Sequence, residues 1–464
     1  MSIGAEYAEP WRIKVVEMLK TTTPEHRREM LEKVSWNVFQ LKAEDVYIDC
    51  LTDSGTSAMS NKEWAALMMG DESYAGCESF YRFEAAVQDL FGFPYVIPTH
   101  QGRAADNLLG RMFYPGEKHK YVVTNMAFDS TRGAAMNFNL WAEDLLDDPG
   151  YDSQTYHPFK GNMSPKKFVD FIEKNGVESV AMVIMTITCN TNGGQPVSMA
   201  NIKEISKLAH EYGLPFYADA ARCFENCYFI KEREEGYADK SIPEISREMF
   251  SYFDGCVMSI KKDGLVNMGG MMCCRDQDLY NRAAIDNMAY EGFQTYGGLA
   301  GRDLEAIAVG LYEGSDYTYL NGRIRQVEYL GKRLDEYGVP FVRPTGGNGV
   351  YVDARLFYKD IAPEKFPGLC LAADAYLESG IRIAELGASA FAVKLPDGTI
   401  KMPEIDYVRI AISRRVYTNS HMDVIADTLG KLYQEGSPNF KGFDKREWGR
   451  ADSHFNSHYY PEFK

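Results

Sequence analysis

Short apolar runs recur through the first two thirds of the chain, separated by segments whose apolar residues return every three or four positions. The runs are Tyr95-Val96-Ile97-Pro98, Tyr121-Val122-Val123-Thr124, Val180-Ala181-Met182-Val183-Ile184-Met185, Pro215-Phe216-Tyr217-Ala218-Asp219 and Gly255-Cys256-Val257-Met258-Ser259. A strand that is apolar at every position is buried on both faces, and intervening helices supply the cover. Residues 60–310 therefore predict an α/β unit built on a mostly parallel sheet. Ligands of such sheets bind beyond the carboxyl ends of the strands, where Asp219, Ser259 and Lys262 fall.

After residue 315 the pattern changes. A helical stretch over residues 317–337 leads to Val339-Pro340-Phe341-Val342, and residues 349–353 alternate as a strand. A helix over residues 369–379, short strands at 381–383 and 407–412, and a last helix over 421–435 follow. This predicts a smaller α+β lobe, completed by part of the first fifty residues or so. The expected division is an arm over residues 1–22, a piece of the small domain over 23–58, a large ligand-binding domain over 59–314 and the small C-terminal domain over 315–464. No Pro/Ser linker, repeat or low-complexity tract interrupts the chain, so the lobes are expected to pack together rather than hang on a tether.

Composition narrows the class of partner. Over 464 residues, 45 % apolar and 25 % charged is the profile of a soluble globular protein with a large core. A net charge of −16 argues against nucleic acid or an anionic membrane as the main partner. No apolar run reaches the ~18 residues that span a bilayer. The start, Met1-Ser2-Ile3-Gly4-Ala5-Glu6, lacks the basic and apolar regions of a secretory signal. The nine cysteines are scattered without a CxxC pair; Cys273 and Cys274 adjoin, and Cys223 and Cys227 are one helical turn apart with no second pair to complete a zinc site. They read as reduced thiols of a cytoplasmic protein whose partner is a small molecule.

The chemistry centres on Lys262, in Ser259-Ile260-Lys261-Lys262, and on Asp219 at the end of an apolar run. A strand-end carboxylate followed by a Ser-x-x-Lys segment is how many pyridoxal phosphate (PLP) enzymes hold their cofactor. The amine condenses with the aldehyde, and the carboxylate keeps the pyridine nitrogen protonated so that the ring draws electrons. Singly, a strand-end Asp is more often a cap and a Lys-Lys pair is more often solvated; the combination favours chemistry. Thr99-His100-Gln101-Gly102-Arg103 sits between a strand and a helical run, where free N–H groups, a glycine and a guanidinium suit a phosphate. Phe128 is placed to stack on a ring, Asn190 to hydrogen-bond the ring oxygen, and Arg222, three after Asp219, to hold that oxygen as a phenolate. Arg414 and Arg415 follow a strand of the small lobe, and a bidentate arginine is the natural partner of an amino acid carboxylate.

Several long stretches together resemble one family, the β-eliminating lyases tryptophanase and tyrosine phenol-lyase. They are Glu9-Pro10-Trp11-Arg12-Ile13-Lys14, Leu51-Thr52-Asp53-Ser54-Gly55-Thr56, Gly70-Asp71-Glu72-Ser73-Tyr74-Ala75-Gly76, residues 98–103, Gly193-Gly194-Gln195-Pro196-Val197-Ser198, Glu225-Asn226-Cys227-Tyr228-Phe229-Ile230-Lys231, residues 259–263 and Thr295-Tyr296-Gly297-Gly298-Leu299. The resemblance implies a PLP-dependent fold type I enzyme, a homotetramer with active sites at dimer interfaces. It implies that Lys262 carries the cofactor, that Asp219 faces the pyridine nitrogen, and that Arg222 and Asn190 face the ring oxygen. It further implies Phe128 on the ring, with Gln101, Gly102, Arg103, Ser259 and Lys261 on the phosphate. Arg414, with Thr52, Ser54 and Asn190 near it, would take the substrate carboxylate, and Tyr74 from a neighbouring subunit would protonate the leaving group. A potassium ion (K+) would be held by Glu72 and the carbonyls of Gly55 and Asn267.

The two activities of the family separate at a few positions. Phenol-lyases resemble one another in having threonine where this chain has Asp129 and arginine where it has Leu386. Tryptophanases have Asp and an aliphatic residue there, and a His-Phe pair near the C-terminus that His454-Phe455 matches. A leucine suits an apolar indole, whereas a buried arginine there would be left unpaired. The expected reaction is therefore elimination from L-tryptophan to indole, pyruvate and ammonia. Tyrosine and S-substituted cysteines are the alternative substrates, with an aminotransferase or a non-catalytic PLP-fold regulator or scaffold as more distant readings. Departures from the family are Gly347-Asn348-Gly349 in place of Gly-His-Ala, Ser413 in place of proline, a small Ala384, and an unfamiliar tail over residues 448–464.

Overall fold

The computed structural model describes residues 7–394, 399–446 and 453–464; the first six residues of the expected arm and residues 448–452 of the tail lie outside the described residues. In chain order the strands are β1 (Ile48–Cys50), β2 (Tyr95–Thr99), β3 (Tyr121–Thr124), β4 (Trp141–Asp144), β5 (Val180–Thr186), β6 (Phe216–Asp219), β7 (Gly255–Met258) and β8 (Gly270–Cys274). They continue with β9 (Gly349–Asp353), β10 (Ile381–Leu386), β11 (Val393–Lys394), β12 (Ile400–Lys401), β13 (Tyr407–Ala411), β14 (Phe440–Lys445) and β15 (Tyr459–Phe463). The large sheet has the order β2-β8-β7-β6-β5-β3-β4. Strands β7, β6, β5, β3 and β4 are mutually parallel. Along β5, Val183 and Met185 enter one apolar core while Met182 and Ile184 enter the other. That period-2 split on a fully buried strand is the two-sided cover foreseen from its unbroken apolar run.

Sequence patterning does not single out β8, which runs antiparallel to both of its neighbours, β2 and β7. Its reversal matters for the site. The chain leaves β7, turns through residues 259–269 and comes straight back, so this turn is clamped over the strand ends by Ile260 N–H to Gly269 O at 3.1 Å and Gly269 N–H to His100 O at 2.9 Å. The turn lies so close to the helix Gly102–Phe113 that a Cβ on Gly102 would come 2.5 Å from Ser259 Cβ.

The smaller sheet has the order β1-β10-β13-β9, with β1 parallel to β10 at Ile48↔Ile381 and the other pairs antiparallel. The segment Val339-Pro340-Phe341-Val342 makes only an isolated bridge, Phe341 to Val352; Pro340 and Pro344 remove the N–H donors a longer ladder would need. The helix Tyr317–Glu336 joins the lobes: Leu320 and Ile324 are buried in the large core, Val327, Leu330 and Leu334 in the small one. The tail is ordered by packing that no local pattern announces. Strands β14 and β15 pair antiparallel, Phe440 packs edge-on to Trp36 at 5.5 Å, and Asn37 Nδ2 donates to His454 O at 3.0 Å and Ser457 O at 2.9 Å. All nine cysteines are buried free thiols, and no helix among the described residues is long and apolar enough to cross a membrane.

Gly310, buried in the helix Gly301–Gly314, is pressed against the carbonyl of Gly264, two residues beyond Lys262. Gly310→Ala is expected to lower the melting temperature, because overpacking costs ~1–3 kcal/mol and exceeds the gain of up to ~1 kcal/mol in helix propensity. A thermal melt of the variant at or above the wild-type temperature would contradict this packing.

Candidate active site at the carboxyl ends of the sheet

A cavity of about 310 Å³ opens beyond the ends of β5, β6 and β7, a size within the usual range for small-molecule sites. Asp219 ends β6, Lys262 lies in the turn after β7, and Ser259 lines the wall between them. Gln101, Gly102 and Arg103 reach the cavity from the start of the helix Gly102–Phe113, and Phe128 and Asp129 from the start of the helix Asp129–Asn137. Asn190 comes from the loop after β5, and Thr52 and Ser54 from the loop after β1. Leu386 and Arg409 enter from β10 and β13, and the tail adds His454 and Phe455.

The ionisable groups are strongly perturbed. Burial and then the neighbouring Arg222 guanidinium bring the Lys262 amine down from 10.5 to about 7, against the pull of Asp53 and Asp219; its Nζ lies 3.3 Å from Ser54 Oγ. Burial raises the Asp219 carboxyl, with Lys262 opposing. Asp106, which the sequence reading did not name, is a second buried acid on the cavity wall, raised to about 7 by burial and then by Asp219. Its signal was a carboxylate one helical turn beyond Gly102, on the face that carries Ala105 and Leu109. Arg222 is gripped by Asp53 through two bonds of 2.9 and 2.6 Å, which hold it charged despite burial.

Arg414, expected to clamp the substrate, does not reach the cavity. It is fully buried, with bonds of 2.8 Å to Asp53, 2.7 Å to Glu225 and 2.9 Å to Asp263. Three carboxylates take up its two Nη groups, and its Nε, without a partner, is buried off the cavity wall. Arg415 is likewise spoken for by Glu313 at 2.8 Å and Glu63 at 3.4 Å. The small-lobe arginine that does line the cavity is Arg409, with Nη1 3.3 Å from Asn190 Oδ1, Nη2 2.7 Å from Leu51 O, and Nε without a partner. The overlooked sign was a guanidinium in the middle of the apolar strand Tyr407-Val408-Arg409-Ile410-Ala411, an expensive place to bury one without an anion to meet.

Other expected residues are placed apart. Tyr74 is 70 % exposed and faces Phe293 and Tyr296, at ring separations of 5.9 and 5.3 Å, outside its own chain's cavity. Gly55 O accepts from Asn267 Nδ2 at 2.9 Å, whereas Glu72 accepts from Gly301 N–H at 2.8 Å and Arg302 Nε at 2.9 Å. Those bonds tie Glu72 to the start of another helix. The Lys261 carbonyl accepts from Gly55 N–H at 2.7 Å, and its side chain stands near Arg103 but off the cavity wall. At the far end, His454 Nε2 stands 3.9 Å from Asp129 Oδ2, and its ring lies 5.5 Å from Phe39 and 3.9 Å from Phe455.

The family description "beta-eliminating lyase" matches residues 49–428. The chain belongs to this family. Among curated relatives, tyrosine phenol-lyase of Symbiobacterium thermophilum is 47 % identical over 92 % of this chain and 93 % of its own length. Tyrosine phenol-lyase of Fusobacterium nucleatum is 47 % identical over 92 % of each chain. A probable β-eliminating lyase of Trichomonas vaginalis is 47 % identical over 92 % of this chain and 93 % of its own. Enzymes of this kind are carbon–carbon lyases, and so is this protein. The fold is that of fold type I PLP enzymes: a serine palmitoyltransferase from S. paucimobilis, solved with PLP, superposes with a TM-score of 0.57 over 84 % of this chain and 87 % of its own at 12 % identity.

The residues of this lyase fit such a cofactor. A lysine amine near neutrality and a buried acid share one cavity, a glycine at a helix start lets Ser259 pack against that start beside Arg103, and Asn190 Nδ2 and Arg409 Nε are buried donors awaiting acceptors. Because the Lys262 amine titrates near 7 rather than 10.5, its unprotonated fraction rises between pH 6 and 8. In cofactor-free protein, peptide mass spectrometry after brief acylation should find Lys262 modified ahead of the surface lysines. A rate still climbing at pH 10 would contradict the depressed value.

Proposed function

We propose that this lyase uses PLP to eliminate the aromatic group of L-tryptophan, releasing indole, pyruvate and ammonia. The observation that carries the reading is a single cavity in which Lys262 and Asp219 face one end and an apolar-aromatic wall with an acid–imidazole pair closes the other. Bound PLP would supply the electron sink for the negative charge that develops at Cα. Asp219 would face its ring nitrogen, Arg222 and Asn190 its ring oxygen, and Phe128 its face. Gln101, Gly102, Arg103 and Ser259 would surround the phosphate, with Lys261 off the wall and near Arg103.

The chain's own groups divide the remaining work. Arg409 replaces Arg414 as the partner of the substrate carboxylate, because its free Nε and the free Nδ2 of Asn190 belong to hydrogen-bonded neighbours on the cavity wall. Thr52 and Ser54 stand beside them. The Lys262 amine, unprotonated above about pH 7, removes the α-proton. Leu386, Phe39 and Phe455 receive the aromatic ring, and Asp129 with His454 handles the proton that makes the ring carbon a leaving group. Tyr74, exposed on its own chain, would serve the cavity of a second copy in a homotetramer, where Gly55, Asn267 and a neighbouring Glu72 would hold K+. The setting is the cytoplasm.

A second reading, elimination of phenol from tyrosine, is favoured by the names of relatives at 46–47 % identity. Against it stand Leu386 and Asp129 on the wall that meets the ring. Pyruvate release measured across tryptophan, tyrosine and S-alkylcysteine separates the readings. Tryptophan should exceed tyrosine in kcat/KM by about tenfold or more, the discrimination that a pocket mismatch of a few kcal/mol supplies. Tyrosine ahead of tryptophan would overturn the assignment. The double variant Asp129→Thr/Leu386→Arg should shift the ratio toward tyrosine.

Lys262→Ala should lower pyruvate release by at least about 10²–10⁴-fold, the contribution of a positioned base. Arg409→Ala should raise KM, while Arg414→Lys should lower stability in urea before it alters KM. If KM followed Arg414 rather than Arg409, the carboxylate site would be misplaced.

A further inference from the structure

The amide of Asn190 is held in one orientation by three donors that converge on its oxygen. Tyr351 Oη donates at 2.8 Å, Asn348 Nδ2 at 3.1 Å and Arg409 Nη1 at 3.3 Å. The guanidinium decides which end of the amide is which. Arginine has donors only, so the atom facing it must be the oxygen, and the amide cannot flip without setting N–H against N–H. Asn348 and Tyr351 close the set: the second Asn348 Nδ2 proton meets Tyr351 Oη at 3.0 Å, and of the two acceptors within reach of the tyrosine proton Asn190 Oδ1 at 2.8 Å is nearer than Asn348 Oδ1 at 3.1 Å. Burial pushes the Tyr351 hydroxyl up to about 12, so it stays a donor across the working range. Asn190, Asn348 and Tyr351 are each 1 % exposed or less, and Asn190 Nδ2, on the cavity wall, is left without a partner.

We propose that Asn348 and Tyr351 are positioning residues that lock Asn190 with its N–H groups aimed into the cavity, as donors for the carboxylate of a bound amino acid. The proposal rests on the amino acid reading of the cavity given above. It also gives a role to Asn348, where the chain departs from the family's Gly-His-Ala pattern: an asparagine supplies two donor protons and no titrating group. A larger side chain has little room, since a Cβ on Gly194 would run into Asn348 Oδ1 and the Asn348 carbonyl is already fixed by Ile412 N–H at 3.0 Å and Arg323 Nη2 at 3.1 Å.

L-alanine is a suitable probe because it has the carboxylate but no leaving group, so its binding is independent of which ring is eliminated. Its dissociation constant is read from the absorbance change of PLP-loaded protein, with melting temperature and PLP content measured alongside. Tyr351→Phe removes one donor of three and should weaken alanine about threefold to tenfold, the effect of one hydrogen bond. Asn348→Asp sets oxygen against oxygen, favours the turned amide and should weaken it by about tenfold or more. In an Asn190→Ala background both effects should vanish, which loss of packing alone would not produce. Unchanged alanine affinity in both variants, or losses that persist without Asn190, would overturn the lock. Wild-type protein that holds PLP and fails to bind alanine would instead overturn the amino acid reading, and the lock with it.

Discussion

Asp53 is a carboxylate with no solvent exposure that accepts from two guanidinium groups at once, Arg222 of the large lobe and Arg414 of the small lobe. Burial alone would push it toward protonation, yet the two arginines outweigh that and hold it well below the usual carboxylate range. The network continues through Arg414 to Glu225 and Asp263, and through Glu225 to Arg323 at 3.3 Å on the helix that joins the lobes. A buried charge cluster of this kind is not itself a large source of stability, but removing one member strands the others at a cost of ~3–5 kcal/mol. Its effect is therefore specificity of assembly. It seats the loop after β1, the turn carrying Lys262 and the strand end after β13 in one arrangement.

That arrangement explains why two similar arginines have different work. Arg222 meets Asp53 with its Nε and one Nη, so its far edge is left to face the cavity it lines. Arg414 commits both Nη groups to Asp53, Glu225 and Asp263 and stays off the cavity wall. Arg409, five residues earlier, is directed by the alternation of β13 toward Asn190 and the cavity. The cavity also collects two acids, Asp219 and Asp106, and a lysine; burial brings the amine to about 7 and raises the acids, while the attraction between amine and acids opposes both shifts. Such displacements come from shared burial more than from any single pair.

The far end of the cavity is built from segments more than four hundred residues apart in sequence. Asn37 and Gln40 hold the backbone of the tail at His454, Phe455 and Ser457, and Phe39 packs edge-on to both tail rings. The wall that would meet an aromatic ring therefore depends on the pairing of β14 with β15 and on the seat of Trp36 against Phe440.

By itself the sequence determined the parallel core, since strands buried on both faces must be apolar throughout, and it marked Asp219, Lys262 and Gln101–Arg103, since strand ends and helix starts are local features. It also carried the family, through motifs long enough to stand without a structure. What it left open follows from long-range geometry. Strand β8 passes back between β2 and β7 because the Lys262 turn folds over, which no local period encodes. The choice between Arg409 and Arg414 depends on which of them finds carboxylates inside the protein, and Asn190's donor direction depends on Asn348, Tyr351 and Arg409 meeting it from the other lobe. A residue's type limits the bonds it can make; only the folded chain decides which partners remain once the interior has taken its share.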